Sequence, residues 1–243
     1  MTDTGRRILI SGGTSGIGYA CAERLCAAGH RVWVLGSRED GIAEVRENLA
    51  LAGASRCDVS DSAAVERAFA EAMDVLGGLD GALVNAGIDG EGLPVLDTDV
   101  DHFRRVLDVN VIGAFLAARA AARVMTGPAS IVLTASVNAL RPETGFVDYN
   151  ASKAAVVSIA KTMAAELGPA GIAVTALCPG YFRTRMTADY LDDPESGAEL
   201  LARIPAGRFG GLGEVAALVE FLLGPEAGYM TGGVVTIDGA SNV

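Results

Sequence analysis

The chain has 243 residues, half of them hydrophobic, and a formal charge of −11 at pH 7. That length and apolar content can build one sizeable core in a single α/β domain spanning residues 1–243. The acidic balance excludes the sequence-independent phosphate binding by which basic proteins grip DNA or RNA. Met1 to Arg7 leads into an apolar run too early for a secretory signal, and the uncharged stretches Val124 to Leu140 and Leu167 to Phe182 are interrupted by polar and turn residues. A cytoplasmic protein with no membrane partner is expected. Cys21, Cys26, Cys57 and Cys178 show no CxxC pairing, and His30 and His102 sit in no ligand cluster, so neither disulfides nor a metal are expected.

Strand-sized apolar runs alternate with Ala-rich amphipathic segments along the chain. The first run, Arg7 to Ser11, enters a Gly-rich turn and then a helix over Tyr19 to Ala28, stopped at Gly29. Further strands are predicted at Arg31 to Leu35, Ala54 to Cys57, Gly81 to Asn85, Ala129 to Ala135, Ile172 to Cys178 and Gly233 to Ile237. Asp61 is placed to cap a helix over Ser62 to Leu76, and Asp99 a long one running to about Met125. The segments 88–94, 138–146 and 181–208 read as loops, and substrate choice is expected to reside in them. Near-continuous apolar strands separated by crossover-length helices predict a doubly wound, Rossmann-like parallel sheet of seven strands with helices on both faces. Ligands of such sheets sit at the carboxyl ends of the strands.

The turn after the first strand holds Gly12, Thr14, Ser15, Gly16, Ile17 and Gly18. Gly12 permits the tight turn, Gly16 lets backbone N–H groups approach a pyrophosphate, and Gly18 lets the helix pack close. A dinucleotide fits that geometry, and a plain structural turn is the alternative. Tyr149 and Lys153 lie four residues apart on one helix face, where an ammonium can favour the phenolate and tune the tyrosine for acid/base work. Ser136, just past an apolar strand, can hold a reacting oxygen or cap the following turn.

The Gly-x-x-x-Gly-x-Gly spacing, with Asp58-Val59, Asn85-Ala86-Gly87, Ser136, Tyr149-x-x-x-Lys153 and Pro179-Gly180 in that order, resembles short-chain dehydrogenases/reductases from about Arg7 to Gly239. Among them it is most similar to 3-oxoacyl-carrier-protein reductases and other ketoreductases. The resemblance implies an oxidoreductase that moves hydride between nicotinamide and a carbonyl or alcohol carbon. Tyr149 is then the acid/base, Ser136 holds the oxygen, Lys153 also reaches the nicotinamide ribose, and Asn110 bends its helix and holds a relay water. It further implies Asp58 and Val59 against the adenine, Asn85, Ala86 and Gly87 near the ribose, and Pro179, Gly180, Phe182 and Thr184 around the nicotinamide.

Where NAD-preferring relatives carry an acid, this chain has Gly36, followed by Ser37 and Arg38, which can bind a 2′-phosphate. NADP(H) is therefore favoured over NAD(H), although Arg38 can also be a solvated charge beside Glu39 and Asp40. The substrate is expected to be a small carbonyl or alcohol, such as a β-ketoacyl thioester or polyketide-like ketone, in a pocket lined by Leu140, Phe146, Tyr181 and Phe182, with segment 181–208 as the substrate loop. Ala-rich faces around Val111 to Ala122 and Ala151 to Ala165 imply a homotetramer. An NAD-dependent secondary alcohol dehydrogenase and a non-catalytic dinucleotide sensor are the alternatives.

Overall fold

The computed structural model describes residues 5–243. Seven strands alternate with helices in chain order: β1 (Arg7–Ser11), α1 (Gly16–Ala27), β2 (Arg31–Gly36), α2 (Glu39–Asn48), β3 (Gly53–Arg56), α3 (Ser62–Leu76), β4 (Leu79–Val84) and α4 (Val100–Leu107). There follow α5 (Ala114–Val124), β5 (Met125–Thr134), α6 (Val147–Leu167), β6 (Ile172–Pro179), α7 (Ala188–Leu191), α8 (Pro194–Ala202), α9 (Leu212–Leu223) and β7 (Val234–Ile237). The strands form one parallel sheet in the order β3-β2-β1-β4-β5-β6-β7.

Both faces of the sheet are covered, as the uninterrupted apolar strands require. On one side Val65, Ala68 and Phe69 of α3, Ala117 and Ala121 of α5, and Val156 and Ala160 of α6 pack over Leu9, Ala82 and Leu133. On the other, Cys21 and Leu25 of α1, Ile42 and Val45 of α2, and Val215 and Val219 of α9 pack over Ile8, Leu83 and Val132. The chain leaves β1 toward one edge and returns through β4 on its other side, so the two connections diverge and open a crevice at the strands' carboxyl ends.

Local chemistry sets the helix starts. Asp61 accepts from Ala63 N at 2.9 Å and Asp99 from Asp101 N at 2.8 Å, each satisfying an orphan donor of the first turn. The structure refines two expectations. The long helix after Asp99 runs to Val124 as expected, with a π-helical turn over Asp108–Gly113 set inside it between α4 and α5. The segment 181–208 is not all loop, because Asp193 accepts from Ser196 N at 2.8 Å and Pro194 takes the first helical position, starting α8. No described helix is long and apolar enough to cross a membrane.

Candidate active site

The crevice between β1 and β4 holds a cleft of about 350 Å³. From the first turn, Gly12, Thr14, Ser15, Gly16 and Ile17 line it, joined by Ser37 and Arg38 after β2, Asp58 and Val59 after β3, and Asn85, Ala86 and Gly87 after β4. Pro179, Gly180, Phe182 and Thr184 close the far side. Gly18 lies behind the wall, where a side chain would overlap the Gly12 carbonyl, so it sets the seating of α1 on the turn.

Three features suit a nicotinamide dinucleotide. Ser15 caps α1 without using its side chain, and the first turn carries no acid, so the turn's N–H groups and the positive end of the helix dipole are left for an anion. Gly16 takes φ +54°, and a Cβ there would press on Thr184 at 3.2 Å across the cleft mouth. Thr134 Oγ1, on the cleft wall, is buried without any hydrogen-bond partner among the described residues.

Ser136, Tyr149 and Lys153 converge on the same wall. Lys153 is buried, its Nζ donating to the Thr134 carbonyl at 3.0 Å and standing 5.5 Å from the centroid of the Tyr149 ring. Burial pushes its pKa down to about 8. Desolvation, reinforced by the Asp89 carboxylate, pushes the Tyr149 phenol above its ordinary value, and the Ser136 hydroxyl pulls the other way. In the protein alone, loss of water is the largest influence on this phenol, and no shift toward phenolate develops. Tyr149 stands as a proton donor at neutral pH. Ser136 Oγ also accepts from Asn138 N at 3.1 Å, so the hydroxyl caps the turn over Val137–Ala139 while it faces the cleft.

Asn110 sits in the π-helical turn behind this wall and is buried. Its Oδ1 accepts from Ile88 N at 2.8 Å, while Nδ2 donates to the Ile88 carbonyl at 2.9 Å and to Ser152 Oγ at 3.1 Å. The side chain thus ties the strand-β4 exit to α6, and both amide protons are committed. Asn85 acts similarly: its Nδ2 donates to the Gly12 carbonyl at 3.1 Å, locking the two strand ends that frame the cleft. Asp58 Oδ1 accepts from Ser60 N and Oγ, which hold its pKa below the usual carboxylate range.

A second cavity of about 350 Å³ adjoins the cleft and shares Ser136, Tyr149, Gly180 and Met186 with it. Phe146 and Tyr181 line it as expected. Leu140 is instead 44% exposed and outside it, and Phe182 faces the dinucleotide cleft. Asp89, Glu143, Tyr190 and Arg203, from the three segments expected to hold substrate choice though not singled out individually, line the cavity as well. Buried Asp148 accepts from Tyr149 N at 2.7 Å and from Glu91 N at 3.2 Å and faces His102 Nε2 at 3.5 Å, holding the 88–93 segment against α6. No short motif marks these residues, because they meet only when the strand ends converge.

A doubly wound sheet with a bare helix N-terminus at its switch point and a Ser, Tyr and Lys set on the adjoining wall defines a nicotinamide-dinucleotide oxidoreductase. Residues 12–241 match a family model described as "Enoyl-(Acyl carrier protein) reductase". The chain is 37% identical to 2-(R)-hydroxypropyl-CoM dehydrogenase of Xanthobacter autotrophicus over 244 residues, covering 97% of this chain and 98% of that one. A 3-ketoacyl-(acyl-carrier-protein) reductase of Brucella melitensis complexed with NADH superposes with TM-score 0.91 at 30% identity, over 98% of this chain and 99% of that one. A variant of actinorhodin polyketide ketoreductase with NADPH gives 0.91 at 29% identity, over 99% and 98%. The chain belongs to the short-chain dehydrogenase/reductase family and is an oxidoreductase.

Proposed function

We propose that the chain interconverts a ketone and a secondary alcohol with NADP(H), Tyr149 exchanging the proton at the reacting oxygen. The observation that carries this reading is the meeting of Ser136, Tyr149 and Lys153 where the two cavities join. When bound, the nicotinamide supplies or accepts the hydride. The residues of the first turn and the N-terminus of α1 hold the pyrophosphate, Asp58 and Val59 flank the adenine, Asn85, Ala86 and Gly87 meet the ribose, and Pro179, Gly180, Phe182 and Thr184 enclose the nicotinamide. Ser136 donates to the carbonyl oxygen as charge grows there, and the protonated Tyr149 gives its proton to that oxygen. Lys153 supplies positive charge beside the resulting phenolate and reaches the nicotinamide ribose. Both amide protons of Asn110 are committed, so its part in a water relay falls to the main chain of the π-helical turn.

The preference for NADP(H) draws support from the steric surroundings of Gly36. A Cβ at this position would overlap Thr14 Cγ2, leaving no room for the acid that would select a ribose 2′-hydroxyl. Ser37 and Arg38 line the cleft beyond it. One observation favours an NAD(H)-dependent alcohol dehydrogenase instead: Arg38 Nε approaches Asp40 Oδ1 at 3.3 Å, which draws the guanidinium toward its own helix.

Kinship with ketoreductases offers β-ketoacyl thioesters and polyketide-like ketones as substrates, and the 181–208 segment encloses the cavity as a substrate loop. A cytoplasmic homotetramer is the proposed working form. It is supported by the exposed Ile112 in the π-helical turn and Phe115 on α5, with Ala151 and Ala154 exposed on α6, and by cysteines held as thiols. Light scattering that shows a monomer at working concentrations overturns the tetramer. The catalytic reading is tested by NADPH and NADH consumption with a ketone panel beside Tyr149→Phe. Turnover that survives in the variant overturns it.

A further inference from the structure

We infer that the cavity beside Tyr149 selects a small, polyhydroxylated, non-anionic ketone or alcohol, with Asp89 and Glu143 as the hydrogen-bond acceptors that determine specificity. The inference rests on the reading of Tyr149 as the proton donor, and it adds no covalent or redox step to that reaction.

The cavity opens onto Ser136 and Tyr149, so a substrate placed for reaction there extends its remaining atoms into this space. At about 350 Å³ it lies at the small end of ligand pockets, which run from about 300 to 1,000 Å³. Its lining carries three carboxylates, of Asp89, Glu143 and Glu199, beside the guanidinium of Arg203 and hydroxyls that can donate or accept. Glu143 Oε1 receives Arg203 Nη1 at 3.2 Å and Tyr181 OH at 3.3 Å, whereas no donor among the described residues reaches Oε2. Asp89 Oδ1 receives only the adjacent Gly90 N at 2.9 Å, and Oδ2 receives none among the described residues.

Asp89 is fixed beside the reacting centre by the packing of its neighbour. A Cβ on Gly90 would lie 3.1 Å from Tyr149 Cβ and 3.0 Å from Phe146 Cδ1, so the bare main chain lets this segment press onto the start of α6. Glu91 N donates to the buried Asp148 at 3.2 Å and anchors the other side. Burial and the neighbouring Asp148 raise the Asp89 pKa, the signature of a carboxyl short of partners.

Hydroxyl groups flanking the reacting carbon would supply the missing donors. An anionic group would meet Asp89, Glu143 and Glu199, with Arg203, the one cation lining the cavity among the described residues, already paired to Glu143. A long acyl chain would leave these carboxylates desolvated against hydrocarbon. The cavity therefore disfavours the ketoacyl thioesters that kinship offers.

The test compares kcat/KM for erythrulose, 2-butanone and an acetoacetyl thioester with NADPH, in the native chain and in Asp89→Leu, Asp89→Asn and Glu143→Gln. Binding of erythrulose and of 2-butanone to NADPH-loaded Tyr149→Phe is measured by calorimetry, with and without Asp89→Leu. The native chain is expected to favour erythrulose over 2-butanone at least tenfold. That ratio should collapse toward one in Asp89→Leu, mainly through KM, and recover in part in Asp89→Asn, which keeps an acceptor and guards against a folding failure. Equal or better turnover of 2-butanone or the thioester overturns the inference. Should no ketone be consumed, Asp89-dependent binding of erythrulose upholds the pocket while the catalytic reading fails. Absence of that binding overturns the pocket itself.

Discussion

The ammonium of Lys153 stands over the ring of Tyr149, 5.5 Å from its centroid, while the same nitrogen donates to the Thr134 carbonyl at 3.0 Å. Both side chains are drawn out of water at the same wall, with opposite consequences: the phenol keeps its proton more firmly and the ammonium gives its proton up more readily. Tyr149 therefore holds its proton at neutral pH as a weaker acid than a free tyrosine, and Lys153 becomes a charge that responds to mildly alkaline pH.

Removing the phenolic hydroxyl isolates the proton step. Tyr149→Phe should lower kcat for ketone reduction by about 10²- to 10⁴-fold, the usual worth of general acid catalysis. NADPH affinity should stay within a factor of a few on the proposed reading, which has the first turn and the strand ends hold the dinucleotide. Steady-state kinetics beside a fluorescence titration of NADPH checks both halves.

The buried lysine also leaves a signature in stability. Its folded pKa of about 8 lies below the ordinary 10.5, so the unfolded chain binds more protons between those values and stability from this group rises with pH there. Below pH 8 the burial penalty is felt in full. The difference in unfolding free energy between the native chain and Lys153→Met should therefore grow by up to about 1.4 kcal/mol per pH unit from pH 8 toward 10. Taking the difference removes most of the opposing effect of the buried Cys21 and Cys57 thiols, whose pKa values are raised to about 12 and about 11. Urea denaturation at pH 7.5, 9 and 10 measures it, and a flat difference would contradict the burial of a titrating lysine.

Asn110 carries three hydrogen bonds that tie Ile88 to α6. Asn110→Ala leaves the Ile88 N–H and carbonyl without these partners and should cost about 2–3 kcal/mol. Activity should fall as well, since Ile88 leads directly into Asp89. A variant with native stability and reduced turnover would mean that Asn110 acts on the reaction without acting through this tie.

Cofactor preference separates into a charge and a shape. Arg38→Leu should weaken NADPH about tenfold, equivalent to roughly 1.4 kcal/mol, and leave NADH nearly unaffected. Equal weakening of both would place the 2′-phosphate elsewhere.

The shape half lies in the contact between Gly36 and Thr14. Gly36→Asp alone should weaken both cofactors, because the new Cβ overlaps the Thr14 methyl. Combined with Thr14→Ala, which clears that space, it should restore NADH binding and keep NADPH excluded by charge repulsion. The two dissociation constants for each variant decide the point.

Much of the architecture was readable before the fold was seen. The seven apolar runs each contain a strand of the sheet, shifted by a few residues at the ends, because a strand covered on both faces must be apolar throughout. Asp61 and the helix Ser62–Leu76 fall where capping chemistry puts them. Periodicity did not mark the π-helical turn at Asp108–Gly113, whereas the family resemblance implied a bend at Asn110, which lies inside it. Nor did composition reveal α8, whose short span is set by Asp193 and Pro194 rather than by an apolar stripe.

The sequence by itself determined which residues stand at the strand ends: the Gly-rich turn, Asp58, Asn85, Ser136, and Tyr149 with Lys153 one helical turn apart. Those assignments depend on local spacing, which the chain carries within a dozen residues. Tertiary structure decided what those groups experience. Desolvation at the wall raises the Tyr149 phenol, and the close pressing of the 88–93 segment onto α6 put Asp89 beside Glu143 in the adjoining cavity. Burial and cross-chain contact depend on residues 50 or more positions apart, and no local pattern encodes them.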